Sequence, residues 1–198
     1  MTDGPAIRPF DAQTDLDGVY RIVRSVWPMF CEARIETEYF AMQYLVNATS
    51  MNVAVSRDLL GFIAYRVCGS EPDTNVRSFS RLTRDLRTAL EKTDRKFVEM
   101  MDMYSESDRK MFDGFKEDHD CEIILFAVDP TSHGKHIGKG LLNDCMGRLV
   151  ENGCHRVALM TTNLCNYGFY EHLGFRIGNR IDIDGPSTKM ILFVKDLV

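Results

Sequence analysis

The sequence predicts a mixed α+β fold: one mixed central sheet flanked by helices, with residues 1–198 forming a single domain. Three observations carry this reading. "NVAVS" and "LLGFIAYRV", separated by "RD", are β-rich runs that read as a hairpin. "EIILFAV" is an almost unbroken apolar run, the pattern of a central strand covered on both faces. From there, strand, loop, helix and strand follow one another over residues 122–162, the order of a βαβ crossover. The chain has 198 residues, of which 44% are hydrophobic, enough for one ordinary core.

Taken in order, "AIRPF" is a short strand. In "TDLDGVYRIVRSVWPMF" the residues Val19, Ile22, Val23 and Val26 fall on one helical face, with Asp15 or Asp17 near the start and Pro28 as the stop. "EYFAMQYLVNA" is a second helix, and the hairpin supplies the second and third strands. A helical insertion then occupies about residues 72–118, between the third and fourth strands. In it Val76, Phe79, Leu82, Leu86 and Leu90 repeat at helical spacing, and Phe97, Met100, Met101, Met103, Tyr104, Met111, Phe112 and Phe115 continue the stripe. Beyond the fourth strand, "GKGLLNDCMGRLVENG" is a helix ended by Gly153 and "HRVALMTT" a strand. "NLCNYGFYEHLG" is a short helix ended by Gly174, and "FRIGNRIDI" and "STKMILFVKDL" are terminal strands.

Composition excludes several classes. The net charge of −5 argues against a general nucleic-acid surface, which needs a clustered basic face. No apolar run approaches the length of a membrane span, and "MTDGPAIRPF" has no basic-then-apolar leader pattern, so a cytoplasmic location is expected. Of the six cysteines none forms a CxxC pair; buried free thiols in a reducing compartment are expected. Cys165 with His172 has no positional signature of a nucleophile and base and is set aside.

The loop "VDPTSHGKHIGKGLL" carries the chemistry. A loop that leaves a strand and opens a helix presents unpaired backbone N–H groups at the positive end of the helix dipole, a setting that binds phosphate. Gly134 can take positive φ, Gly138 allows close approach, and Lys135 and Lys139 add charge. The G-x-x-x-x-G-K-[ST] phosphate motif fails here, since Gly134 and Gly138 are too close and Gly140 stands where Ser or Thr is needed. G-x-G-x-x-G fails at Asn143.

A third pattern fits. The stretch resembles motif A of the GNAT acetyltransferase superfamily, roughly [QR]-x-x-G-x-[GA] after a strand ending in Val-x-Pro. Val128, Asp129 and Pro130 match the strand end, His133 falls at the Gln/Arg position and Gly138 at the last. Gly134, Lys135 and Ile137 fill free positions, and His136 stands where the family has its first fixed glycine. "TNLCNYGFYEHLGF" resembles the family's second signature through Asn163, Tyr170, Leu173, Gly174 and Phe175. The clear resemblance covers about residues 120–177.

The resemblance implies a GNAT-like acyl-CoA N-acyltransferase fold, acetyl-CoA as co-substrate and direct acetyl transfer to a primary amine, with no metal. The pyrophosphate is expected on the backbone N–H groups of residues 133–139: His133, Gly134, Lys135, His136, Ile137, Gly138 and Lys139. The pantetheine arm is expected along the strand edge near Val128, where a backbone N–H faces the acetyl oxygen. Asn163 is expected to hold the cofactor arm and Tyr170 to give a proton to the leaving thiolate. Each has a plain alternative: Tyr170 as a packed helix tyrosine, Asn163 as the N-cap of the helix after it. His133 and His136 are read as exposed loop residues, with nothing nearby to complete a metal site.

Glu122 is the general base named from the sequence, with Glu117, Asp118, His119 and Asp120 as neighbouring candidates. The acceptor is left open between a small metabolite, an antibiotic amine, and a protein N-terminus or lysine; an acidic chain suits a cationic acceptor. The insertion is either a wall of the acceptor pocket or a packing or dimerisation arm, which leaves a homodimer open. Two other functions are weighed: a CoA-binding regulatory or degenerate module, and a nucleotide-binding phosphotransferase, against which the missing Ser/Thr after Lys139 counts.

Overall fold

The structure, a computed structural model, describes residues 5–113, 120–184 and 187–197. Its elements follow the expected order: β1 (Ala6–Pro9), α1 (Leu16–Val26), α2 (Arg34–Leu45), β2 (Ser50–Val55), β3 (Leu59–Val67), α3 (Thr74–Arg77), α4 (Phe79–Thr93), α5 (Arg95–Asp113), β4 (Cys121–Val128), α6 (Ile137–Glu151), β5 (Arg156–Thr162), α7 (Gly168–His172), β6 (Arg176–Asp184) and β7 (Thr188–Asp196). One seven-stranded sheet runs β1-β2-β3-β4-β5-β7-β6. Only β4 and β5 pair in parallel; all other neighbours are antiparallel. This is the mixed sheet expected, with its single crossover through α6.

Alternation along the strands sends side chains to two cores. Phe62 and Ala64 of β3 join α1, α2, α4 and α5 on one face. Ile63 and Tyr65 join Leu141, Leu142, Cys145 and Leu149 of α6 on the other. On β4 the alternation is broken. Tyr65 pairs with Ile123 and Ala64 with Leu125, so Ile124 is an extra residue, a β-bulge. Cys121 and Ile123 therefore lie on the α6 face, whereas Leu125 and Ala127 lie on the opposite one. The unbroken apolar run seen in the sequence is thus a strand buried on both faces whose register changes halfway.

The insertion between β3 and β4 is helical, as expected, and is tied to the domain rather than standing off it. Val76, Phe79, Leu86 and Leu90 are buried, as are Phe97, Met101 and Met111. Arg87 of α4 donates to both carboxylate oxygens of Asp102 on α5, at 2.6 and 2.8 Å, and to the Tyr39 hydroxyl of α2 at 3.1 Å. Gln43 of α2 donates to the Met101 carbonyl at 3.1 Å. Met103 departs from the expected stripe: it is exposed, because the helix turns it away from the face that carries Met101 and Tyr104. Phe115 lies outside the described residues.

The helix expected over "NLCNYGFYEHLG" is shorter than the pattern suggests. α7 begins at Gly168, and the residues before it form turns. Gly174 ends it at φ +83°, as expected for a left-handed stop. The cysteines are all free; Cys68 is exposed and Cys165 half-buried, the others buried. Among the described residues no helix is long and apolar enough to cross a membrane.

Candidate active site

β4 and β5 pair only from Cys121↔Val157 to Ile123↔Leu159, then part. β4 continues to Val128 and β5 to Thr162 without further pairing between them. The edge of residues 124–128 that faces β5 therefore carries no strand among the described residues. The fork opens at the Ile124 bulge, where a ladder position is also given up. A cleft of about 1260 Å³ occupies this fork, lined on one side by Ile124 to Val128 and on the other by Leu159 to Thr162.

At the far end of β4 lies the loop expected from the sequence to form an anion cradle. Asp129 accepts from Thr131 N at 2.9 Å and Thr131 Oγ1 at 2.7 Å, and closes an ion pair with Arg21 of α1. Burial alone would raise this carboxyl, but the bonds from Arg21 and Thr131 outweigh it and hold it down at about 2. The turn uses two of the expected donors: His133 N donates to the Pro130 carbonyl at 3.3 Å and Lys135 N to Ser132 at 3.4 Å. The amides of Gly134, His136, Ile137, Gly138 and Lys139 have no partner among the described residues. The cradle is narrower than the sequence suggests, and Lys139 rather than Lys135 lines the cleft.

Gly134 sits at φ +78° and His136 at φ 59°, both left-handed. His136 stands at the position where the resemblance has glycine, and the backbone conformation explains that preference. Gly138 lies close under β4: a Cβ there would be 3.3 Å from Phe126 Cζ and 3.4 Å from Val128 Cγ2. These unpartnered amides at the start of α6, beside an open strand edge, fit a pyrophosphate followed by an extended arm.

Tyr170 lines the cleft opposite β4. Its ring packs against Phe169, Phe175 and Phe193, with centroids 5.5, 5.9 and 5.6 Å away. No hydrogen bond of its hydroxyl is formed with the described residues. Burial, and to a smaller degree Cys165, push its pKa above the ordinary tyrosine value, so the phenol keeps its proton at neutral pH.

Asn163 does not cap a helix. Its Nδ2 donates to the Ser187 carbonyl at 3.0 Å and its Oδ1 accepts from Lys189 N at 2.8 Å. The side chain pins the end of β5 to the start of β7, and α7 begins only at Gly168. Glu122 is buried on β4 and lines the cleft, held by Arg66 of β3 at 2.5 Å. Asp120 accepts from the amides of His155 and Arg156, at 2.6 and 3.1 Å, and is absent from the cleft lining. Glu117, Asp118 and His119 lie outside the described residues. Among the described residues no group of three or more His, Cys, Asp or Glu is placed to hold a metal.

The other end of the cleft is aromatic. Trp27 and Phe30 each pack on Phe40, with centroids 5.4 Å and 6.0 Å away. Tyr44 packs on Phe40 at 5.3 Å and Tyr104 of α5 on Phe30 at 5.4 Å. Met29 and Leu164, both largely exposed, line the mouth. The insertion thus supplies part of this wall through Met101, Tyr104, Asp108, Arg109 and Phe112. Asp108 and the Ile124 bulge went unnoticed in the sequence. A carboxylate four residues from both Tyr104 and Phe112, on the apolar stripe, is a signal for the first; a bulge leaves none.

The profile of the Acetyltransferase (GNAT) family matches residues 16–175, and the chain belongs to that family of acetyl-CoA-dependent N-acetyltransferases. Solved structures agree on the fold. The aminoglycoside 6'-N-acetyltransferase of Enterococcus faecium superposes with a TM-score of 0.58 at 16% identity, covering 98% of this chain and 97% of its own. The ribosomal-protein-S18-alanine N-acetyltransferase of Escherichia coli gives 0.59 at 14%, covering 98% and 94%. A GNAT family acetyltransferase from Elizabethkingia anophelis, solved with acetyl-CoA bound, gives 0.57 at 16%, covering 98% and 99%. Comparison with curated proteins finds no match.

Proposed function

We propose that this acetyltransferase acts on a primary amine carried by an apolar, aromatic-sized body, and that the amine enters beneath the insertion. The carrying observation is the acceptor wall of Trp27, Phe30, Phe40, Tyr44 and Tyr104. A polycationic acceptor such as an aminoglycoside calls for several free carboxylates. Among the described residues the acids that line the cleft are Asp108 and Glu122, and Glu122 is engaged by Arg66; Arg109 also lines it. That balance suits one positive charge on an apolar frame.

In this reading the amides of Gly134, His136, Ile137, Gly138 and Lys139 hold the pyrophosphate. The open edge of β4 up to Val128 takes the pantetheine arm as an added strand. The bulge at Ile124 presents a backbone N–H to the thioester oxygen as charge builds there. Tyr170 protonates the departing thiolate; its place in the cleft lining and its lack of a competing hydrogen-bond partner among the described residues support that role. Asn163 supports the arm indirectly, by holding the β5 end in place. Acetyl-CoA supplies the acyl group, and the chain binds, orients and moves protons.

A thiol-release assay tests the acceptor class, with aromatic and aliphatic monoamines, polyamines, aminoglycosides and peptide N-termini compared at equal concentration. Higher kcat/KM for apolar monoamines is expected. Preference for aminoglycosides or polyamines refutes the acceptor class. Acetyl-CoA binding without turnover on any amine makes the chain a CoA-binding module.

A further inference from the structure

We propose that Asp108, contributed by the inserted helix α5, is the general base that takes the proton from the acceptor amine. The inference rests on the acetyl-transfer reading above and adds the residue that activates the acceptor.

Placement carries it. Tyr104 and Phe112 lie one helical turn before and after Asp108 and share its face of α5. Both pack against the apolar cluster that contains Met190 of β7, to which Met160 of β5 and Ile181 and Ile183 of β6 also belong. Met160 is the residue after Leu159, the last β5 residue paired with β4. The face that carries Asp108 is thus packed on the sheet, and Asp108 lines the same cleft as Ile124, Leu159 and Met160, the residues where the strands part. The carboxylate has no hydrogen-bond or salt-bridge partner among the described residues. Glu122, by contrast, is committed to Arg66. An unpaired carboxylate in an aromatic wall both attracts a cationic amine and can accept its proton; one held by a guanidinium is a weaker base.

The charged and titratable groups lining this cleft are Tyr44 of α2, Arg66 of β3, Tyr104 and Arg109 of α5, Glu122 of β4, His133, His136 and Lys139 of the cradle, and Cys165, Tyr170 and His172 beside α7. Burial lifts the Asp108 carboxyl to about 7, the range in which a base works at neutral pH. The proton balance closes. Asp108 takes one proton from the ammonium, and the nitrogen lone pair forms the N–C bond as the C–S bond breaks. Tyr170 gives its proton to the thiolate and receives the second nitrogen proton in return, while Asp108 releases its own to water.

The test uses the full chain with acetyl-CoA and phenethylamine as the acceptor probe, followed from pH 5 to 9. Asp108→Asn is expected to lower kcat about 100-fold, to leave the KM for acetyl-CoA unchanged and to abolish the acid limb of the kcat profile. Glu122→Gln is expected to keep that limb. Asp108→Glu, which restores a carboxylate, is expected to recover part of kcat and the limb, which a merely structural role would not require. Full activity with an intact acid limb in Asp108→Asn overturns the proposal, as does loss of the limb in Glu122→Gln alone. A wild-type chain that acetylates no amine in the panel overturns the acetyl-transfer reading itself, and is told apart because no variant comparison then arises.

Discussion

Arg21, on the first helix, and Asp129, at the start of the cradle, are joined in an ion pair across 108 residues of chain. Arg21 also donates to the Leu59 carbonyl at 2.6 Å. One guanidinium thus ties α1 to the end of β4 and to β3, and fixes where the cradle leaves the sheet. Asp129 in turn organises the first turn of the loop through Thr131.

The pair predicts acid sensitivity of the cradle. The Asp129 carboxyl is held at about 2, below its ordinary 3.8. A depressed carboxyl contributes stability in full above its unfolded value and loses it as pH falls through the folded one, so the loss falls between roughly pH 4 and 2. The shift corresponds to about 2 kcal/mol, and screening at half-exposed Arg21 reduces it to on the order of 1 kcal/mol. Asp129→Asn should destabilise the protein at pH 7 and show no difference from wild type near pH 2. Urea melts at the two pH values check this. An equal difference at both would assign the effect to packing.

His136 predicts an unusual gain. Its φ of 59° is a conformation that costs L-residues about 1–2 kcal/mol, and glycine escapes that cost. Glycine also loses about 0.5–1 kcal/mol through its freer unfolded chain, so the net gain for His136→Gly lies between about 0 and 1.5 kcal/mol. His136→Gly should raise Tm slightly and keep acetyl-CoA affinity, whereas His136→Val should lower both. Thermal melts and calorimetric titration with acetyl-CoA decide; a marked loss of affinity in His136→Gly would mean that the imidazole itself touches the pyrophosphate.

Tyr170→Phe separates chemistry from packing. The rings of Phe169, Phe175 and Phe193 meet the aromatic body, which phenylalanine keeps. The hydroxyl has no partner among the described residues to lose. Stability should stay within about 0.5 kcal/mol, while kcat falls about 100-fold at unchanged KM. Unchanged kcat in a stopped assay of thiol release would remove Tyr170 from the proton path.

Asp108 predicts a pH-dependent stabilisation. Burial raises its carboxyl from 3.8 to about 7, so the folded state favours the protonated form. The penalty for ionising it appears as pH rises above 4 and is complete above 7. Asp108→Asn, which carries no charge, should therefore melt higher than wild type at pH 8 and equally at pH 4. After allowance for partial exposure the gain is on the order of 1 kcal/mol. A variant that melts lower at pH 8 would place Asp108 in an unseen stabilising contact.

Much of this site was legible in one dimension because its signals are local. The period of Val19, Ile22 and Val23, the apolar run of β4, the glycines of the cradle and the position of Tyr170 each lie within a few residues of the partners that give them meaning. The α4 stripe was read in full except that Leu82 is only partly covered. The misreadings share one cause. Asn163 looked like a helix cap because Ser187 and Lys189, which it actually binds, lie more than twenty residues away. Met103 looked like a core residue because its stripe neighbours are.

The sequence by itself determined the order of elements, the family and the glycine-containing loop that opens α6, since these follow from backbone preferences and from spacing inside single segments. Tertiary structure decided the rest. Pairing of β4 with both β3 and β5 created the bulge at Ile124 and the fork beyond Ile123. Packing of α5 on the β5, β7 and β6 side of the sheet placed Asp108 in the cleft lining, and the Arg66 contact engaged Glu122. Each of these depends on which distant surfaces bury one another, and on the desolvation that follows, which no local pattern in the chain records.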